Sequence, residues 1–188
     1  MEISVRLGGV PLLLSCAHNE YMLTYMPFAC CDMPLARVGV SAAEVERLLP
    51  LYEEGSTAPY VEHMELCTRA CDALLPFERA IFHGVAFIWR GQAWLLTALS
   101  GTGKTTHYIQ WKRQYGSEIS IINGDKPVLD FSDEGISVHP SPWRGKENMG
   151  SMRSAPLGGI IMLKQGQENA MRLSLIHISE PTRPEPIS

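Results

Sequence analysis

The segment from Ala98 to His107, with the sequence ALSGTGKTTH, combines residue types that together can hold phosphate groups. Its two glycines let successive backbone N–H groups turn towards phosphate oxygens, a conformation that residues with a Cβ atom resist. The lysine adds a charge for the outer phosphates, and the next threonine has a hydroxyl where such loops bind Mg²⁺. The segment therefore predicts a nucleotide site formed by Ser100, Gly101, Thr102, Gly103, Lys104, Thr105 and Thr106.

Ala98 departs from the strict pattern G-x-x-x-x-G-K-[ST], which has glycine at this position. A methyl group excludes only a positive φ or a very close approach at that point. From Ser100 onward the sequence matches the phosphate-binding pattern, so we expect this part of the loop to keep its phosphate-binding geometry.

A second chemical element lies in the segment IINGDKP, about 20 residues after the loop lysine. A strand that ends in an acidic residue at this distance suits a carboxylate that organises Mg²⁺. Asp125 is therefore the candidate metal ligand or catalytic base. A strand-end aspartate is also a common turn former, but the neighbouring phosphate loop favours a functional role.

Three further residues could act on a phosphoryl group. His83 precedes the loop and has a side chain that can orient a phosphate or accept a proton; a histidine satisfied within the sheet is the equal alternative. Arg144 and Lys146, in the segment SPWRGKE, could neutralise the charge of a γ-phosphate or of an anionic substrate. Their alternative is an ordinary solvated loop.

Apolar and β-branched runs predict the elements that position these residues. FHGVAFIW and QAWLLTA, separated by Arg90-Gly91, are typical of a hairpin leading into the loop. THYIQWKRQYG predicts a helix that ends at Gly116. EISII, PVLDF and ISVHP predict strands, with a turn at Asp133-Glu134-Gly135, and LGGIIML predicts a further, buried strand. This order predicts an α/β P-loop nucleotide-binding domain with a mixed β-sheet over residues 76–172.

Residues 1–75 contain no chemical motif and predict a small α+β region. ISVRLGGVPLLL is typical of strands around a Gly8-Gly9 turn. SAAEVERLLP predicts a helix with a capping box between Ser41 and Glu44, and YVEHMELCTRACDALLP predicts a longer helix. His63 lies on the longer helix, where a single histidine is more often a surface or satisfied residue than a ligand.

Composition limits the possible partners. The chain has 188 residues, a formal net charge of −4 and 45% hydrophobic residues, which indicates one domain with room for a small appendage, and a buried core. The sequence has no stripe of basic residues that would indicate binding to nucleic acid. Its apolar runs are shorter than the roughly 20 residues that are needed to cross a bilayer. Glu2 is unlike the basic start of a secretory signal. Five cysteines without a C-x-x-C pair favour reduced, buried thiols and a cytoplasmic location.

The C-terminal segment LSLIHISEPTR, Leu173 to Arg183, looks like a translated sequencing-library adapter. We therefore treat residues 173–188 as artefactual, and we expect the natural sequence to be cut near Arg172. The missing part is where adenine contacts and the contacts of a homo-oligomer are expected. Nothing in the tail is expected to pack on the core, because its prolines and small apolar surface cannot offset the ordering entropy.

SGTGKTTH, NGDKP and SPWRGKE, in this order and spacing, resemble the HPr kinase and ATP-dependent phosphoenolpyruvate carboxykinase superfamily, especially its small HPr-kinase-like members. The resemblance covers about residues 75–172. It implies a mixed-sheet P-loop fold, ATP with a divalent metal, and phosphoryl transfer as the reaction. His83 resembles a histidine that lies near the phosphates in HPr kinases, and the resemblance also favours a functional role for Arg144 and Lys146. The predicted catalytic set is thus Asp125, His83, Lys146 and Arg144. Many relatives have two adjacent acidic residues after the second strand. Asp125 matches the second, and Gly124 replaces the first, which in HPr kinases is associated with activating the acceptor hydroxyl.

Three functions remain open from the sequence. The first is an ATP-dependent kinase that acts on a small hydroxyl compound or on a peptide or protein serine. The second is a carboxykinase-type lyase, for which a lysine–histidine metal pair ahead of the loop is not found. The third is a module that binds ATP without turnover, a possibility raised by Gly124. If Gly124 marks a lost base, Gly124→Asp is expected to raise the rate.

Overall fold

The computed structural model describes residues 1–132, 135–166 and 170. The predicted turn at Asp133-Glu134 and the predicted artefactual tail lie outside these residues. The chain forms a mixed α/β structure with two β-sheets and four α-helices in its described part. The coarse fold class predicted from the sequence is thereby confirmed. No helix in the described part is both long enough and apolar enough to cross a membrane.

The first sheet has three strands: β1 (Glu2–Leu7), β2 (Val10–Ser15) and β3 (Ala36–Gly39). β1 and β2 are antiparallel, and β3 pairs parallel to β2. The turn between β1 and β2 contains Gly8 and Gly9, both with positive φ. A Cβ atom on Gly8 would lie 2.8 Å from Cγ1 of Val128, so this turn packs tightly on the second sheet.

Three helices accompany this sheet: α1 (Met22–Tyr25), α2 (Ala42–Leu48) and α3 (Ala58–Leu74). The capping box predicted between Ser41 and Glu44 is confirmed. α3 begins after Thr57, whose hydroxyl accepts the Tyr60 N–H, and it buries an apolar face against β3. Neither α1 nor β3 was predicted, because both are short and follow loops without a clear hydrophobic period.

The second sheet has seven strands in the order β4-β8-β9-β10-β6-β5-β7. The helix α4 lies between β6 and β7 in the chain and packs against β5 and β7. The predicted hairpin, the predicted helix ending at Gly116 and the predicted later strands are all present. The bounds are β4 (Arg79–Ile81), β5 (Val85–Trp89), β6 (Gln92–Thr97), α4 (Lys104–Tyr115), β7 (Ile119–Asn123), β8 (Val128–Asp130), β9 (Ser137–His139) and β10 (Ala155–Met162).

The strand directions bring several chain ends to one edge of this sheet. β5 is antiparallel to both β6 and β7, so β6 and β7 run in the same direction. β10 pairs parallel to β6, which makes the sheet mixed. The carboxyl ends of β6, β7 and β10 and the start of β5 therefore lie at the same edge. In open α/β sheets, ligands bind outside the carboxyl ends of the strands.

One buried core connects the two sheets. It contains most of the buried residues of the first sheet and α3, together with Val128 and Trp143 from the second half of the chain. The packing is thus continuous across the predicted boundary between residues 75 and 76. This continuity fixes α3 relative to the loop that contains Trp143.

The structure corrects two predictions about burial. LGGIIML was predicted as a buried strand, but Ile160 is 51% exposed and Met162 69% exposed, because alternate residues of β10 face away from the packed side. The thiols were predicted to be buried, yet Cys31 is exposed while Cys16 and Cys67 are buried. All five cysteines are free.

Candidate functional site

A glycine-rich loop, residues 98–103, leaves the carboxyl end of β6 and enters α4. Gly101 has a φ of 77° and Gly103 a φ of 103°, a backbone region that favours glycine. Gly103 is the N-cap of α4, and no side chain caps this helix end. The N–H groups of the first helical turn have no intrahelical partners, so they offer donors to an anion at this point.

Residues of the predicted nucleotide site lie on two sides of this loop. Ser100, Lys104 and Thr105 line a cleft with a volume of about 680 Å³. Thr102 lines a neighbouring, more apolar cavity of about 540 Å³, together with Leu99. Thr106 is exposed on the first turn of α4.

Lys104 explains why alanine is tolerated at position 98. Its Nζ donates to the carbonyl oxygen of Ala98 at 3.2 Å, so the side chain folds back over the loop. This contact uses the backbone of residue 98 and not its side chain. A methyl group in place of glycine therefore leaves the loop closed on its lysine.

Asp125 is held at the end of β7 by a small network of backbone contacts. The Asn123 side-chain oxygen accepts the N–H groups of Asp125 at 2.9 Å and Lys126 at 2.7 Å, as in a turn. The Asn123 amide nitrogen in turn donates to the Ser141 carbonyl at 3.0 Å. The Asp125 carbonyl accepts the Gly84 N–H at 2.8 Å, which connects the end of β7 to the start of β5.

The carboxylate of Asp125 contacts two cationic or ionisable partners. Lys126 Nζ lies 2.7 Å from Oδ2, and His83 Nε2 lies 3.2 Å from Oδ1. Burial lowers the pKa of His83; Asp125 raises it, and Lys104 and Lys126 lower it further, so the net pKa lies below the usual value. His83 is therefore neutral at pH 7, and the structure brings it together with Asp125, a contact that was not predicted from the sequence.

Gly124 lies where a side chain has no room. A Cβ atom there would lie 2.9 Å from the Arg144 carbonyl oxygen and 3.1 Å from the Met149 carbonyl oxygen. The Gly124 N–H also donates to that Met149 carbonyl at 2.9 Å. The expectation that Gly124→Asp restores a base must be corrected for this geometry, because the new side chain would first displace the loop 144–149.

Arg144 and Lys146 both belong to the cleft lining but differ in their contacts. The Arg144 guanidinium lies over the Phe28 ring, 5.7 Å from its centroid, and its Nε is buried without a partner in the described part of the chain. Lys146 is exposed at the cleft. Only Lys146 is thus free to move towards a ligand without breaking a packed contact.

The cleft has a second part that sequence analysis did not assign. We call it the aromatic wall: the residues Tyr21, Tyr60, His63, Met64 and Trp143, which come from α3, from the turn before α1 and from the loop after β9. The spacing of apolar residues predicted the helix α3, but no local signal indicated that one face of this helix meets the cleft beside the glycine-rich loop. Lys126 was also missed, although it directly follows Asp125 in NGDKP.

His63 is the centre of the aromatic wall. Its ring stacks on Tyr21 with centroids 4.0 Å apart, and its Nδ1 lies 2.7 Å from the Tyr25 hydroxyl. Trp143 donates its indole N–H to the His63 carbonyl at 2.8 Å. Burial, and secondarily Lys126, lowers the pKa of His63 to about 4, so its imidazole is neutral at pH 7.

Comparison with protein-family models found no match for this chain, and comparison with curated proteins found none either. In the described residues, no three His, Cys, Asp or Glu side chains are grouped so as to hold a metal ion on their own.

Proposed function

We propose that this chain binds ATP with Mg²⁺ through residues 100–106 and transfers the γ-phosphoryl group to a hydroxyl of a small molecule or of a peptide or protein serine. One observation carries the proposal. The glycine-rich loop has two glycines at positive φ and leads into the uncapped N-terminus of a 12-residue helix, beside a cleft that also contains Lys104 and Asp125. This combination of free N–H groups, a lysine and a carboxylate is typical of a mixed-sheet P-loop phosphotransferase.

The donors in the cleft fit a magnesium ion carried by a nucleotide. Mg²⁺ prefers oxygen ligands, keeps several waters and takes only one or two protein carboxylates beside the phosphates. Thr105 offers a hydroxyl and Asp125 a carboxylate, so a cluster of three acidic residues is not needed. Bound with ATP, the ion would neutralise charge on the phosphates; for Asp125 to reach it, Lys126 must release Oδ2.

Groups in the cleft can account for the bonds, the proton and the charge in the phosphoryl transfer. The acceptor oxygen forms a bond to the γ-phosphorus, the bond from that phosphorus to the β–γ bridging oxygen breaks, and ADP leaves. The hydroxyl proton passes to the neutral imidazole of His83, whose Nε2 lies 3.2 Å from Oδ1 of Asp125. Lys104, Lys126 and Lys146 supply positive charge for the transferred group.

A module that binds ATP without turnover is the second candidate. The observation that favours it is the close approach of the 144–149 backbone to Gly124, which excludes a second carboxylate beside Asp125. Tight ATP binding without transfer to any hydroxyl compound would favour this candidate over the kinase.

The nucleotide part of the proposal is tested with Lys104→Ala and Thr105→Ala. We expect Lys104→Ala to weaken ATP·Mg²⁺ binding by about 1.5–3 kcal/mol, the range for a lost hydrogen bond to a charged group. Thr105→Ala should mainly reduce the dependence of binding on Mg²⁺. Calorimetry measures both, and Arg113→Ala, which removes a charge from the other end of α4, is the matched control. Unchanged affinity in both loop variants would contradict the proposal.

A further inference from the structure

The cleft is divided chemically into a charged part and an uncharged part. The charged part contains the N–H groups at the start of α4, together with Lys104, Asp125 and Lys126 and the loop residues Arg144, Lys146 and Glu147. The other part is the aromatic wall, in which the ring of His63 is neutral and Trp143 is 1% exposed. Only one part is therefore suited to phosphate groups.

Hydrogen bonds connect the two parts rigidly. The Lys126 N–H donates to the Trp143 carbonyl at 3.2 Å, and the Trp143 indole donates to α3 at the His63 carbonyl. Ser141 fixes the same loop: its hydroxyl donates to the Lys126 carbonyl at 2.5 Å and accepts the Trp143 N–H at 3.2 Å. A ligand group held against the aromatic wall would thus be held next to the Asp125–Lys126 pair.

Partly exposed side chains of the aromatic wall can receive such a group. Tyr60 is 37% exposed, and Tyr21 and Met64 are half-buried, so each offers apolar surface to the cleft. His63 contributes one ring edge: its Nδ1 is used by Tyr25, whereas Nε2 has no hydrogen-bond partner in the described part of the chain. The wall as a whole offers aromatic and thioether surface with uncharged hydrogen-bonding groups, namely the His63 ring and the hydroxyls of Tyr21 and Tyr60, and none of its five residues is a cation.

We propose that the aromatic wall is the acceptor subsite and that it selects an uncharged alcohol with an aromatic or apolar ring beside its hydroxyl. This inference rests on the proposed function, because the acceptor must lie next to the phosphates. A polyanionic alcohol would have to place its charge against Tyr21, Tyr60 and Met64, where only uncharged hydroxyl groups replace part of its hydration. A ring, in contrast, gains stacking and burial at the same position.

Binding is tested first, without any transfer. Benzyl alcohol and glycerol 3-phosphate serve as probes in ligand-observed saturation-transfer NMR. We expect saturation of the benzyl ring protons in the wild type, its loss in Tyr21→Ala and Tyr60→Ala, and no change in Leu23→Ala. Leu23 is the matched control because it lies on α1 and is 80% exposed. Equal signals in the wild type and in both wall variants would overturn the inference.

Transfer from labelled ATP then separates the inference from the proposed function. We expect benzyl alcohol to be a better acceptor than glycerol 3-phosphate or N-acetylserinamide, and Tyr21→Ala to raise its KM roughly tenfold, as one aromatic contact allows. The affinity for ATP should stay unchanged. A preference for the anionic or the ringless acceptor would overturn the inference alone, whereas failure to bind ATP would overturn the proposed function.

Discussion

At the scale of single residues, Asp125 is the group on which the proposed chemistry depends. Its carboxylate is already neutralised by Lys126 at 2.7 Å, so it can exchange that partner for another cation without first becoming an unpaired charge. Its backbone is held independently of its side chain, through Asn123 and Gly84. The charge at this position can therefore be removed while the local fold is kept.

Asp125→Asn is expected to abolish turnover with little loss of stability. The amide keeps the shape of the side chain but neither binds a metal as strongly nor stabilises a protonated His83, so transfer should fall by about 10²–10⁴-fold. Phosphoryl transfer from labelled ATP and thermal unfolding measure the two effects. Asp72→Asn, an exposed carboxylate on α3, is the control. Full activity in Asp125→Asn would exclude both proposed roles of this residue.

Gly124→Ala is expected to destabilise the protein by about 1–3 kcal/mol, the usual effect of an added methyl group in a packed region. The reason is that the contacts at 2.9 and 3.1 Å are to carbonyl oxygens of the backbone, which cannot turn away as a side chain can. Gly135→Ala, where no described residue other than the chain neighbours lies within 4 Å of the added carbon, is the comparison. Chemical denaturation measures both. A faster, fully stable Gly124→Asp would show that the loop 144–149 moves easily and would restore the lost-base hypothesis.

At the scale of elements, the sequence predicts the individual helices, strands and turns but not the contacts between elements that are far apart in the chain. The hairpin, α4 and the positive-φ glycines of the loop follow from turn residues and hydrophobic period, because short-range backbone preferences decide them. The meeting of α3 with Lys126 does not follow, because it depends on Trp143, a residue 80 positions from its partner His63. The exposed face of β10 was not predicted either, because a continuous apolar sequence is typical of a strand that is buried on both faces.

The turn between β1 and β2 offers a test of how the two sheets are joined. Gly8→Ala should cost more free energy of unfolding than Gly91→Ala, by about 1 kcal/mol or more. Both glycines have positive φ, but only at Gly8 would the methyl group contact the second sheet, 2.8 Å from Val128. Urea denaturation of the two variants gives the difference. Equal losses would mean that the sheets separate at this turn at little cost.

At the scale of the whole molecule, His63 couples the packing of α1 and α3 to the cleft, and this coupling should be visible as a pH dependence of stability. Its pKa is about 4 in the folded chain, against an ordinary value of 6.5, because of burial and of the nearby Lys126. Tyr21 and Tyr25 on one side and Trp143 on the other offer no negative charge to stabilise a protonated ring.

The unfolded chain therefore binds one more proton than the folded chain between about pH 6.5 and pH 4, and the free energy of unfolding should fall as the pH falls through this window. His63 alone accounts for up to about 3 kcal/mol of that loss. Burial also lowers the pKa values of His83 and His139, so these residues contribute to the same pH dependence. The contribution of His63 is therefore the difference in the free energy of unfolding between wild type and His63→Gln at each pH. Denaturant unfolding at several pH values should give the variant a shallower slope, while Tyr25→Phe, which keeps the imidazole buried, retains the wild-type slope. If the free energy of unfolding changed with pH equally in wild type and in His63→Gln, His63 would be hydrated enough in the folded chain to be protonated freely. The aromatic wall would then be accessible to water.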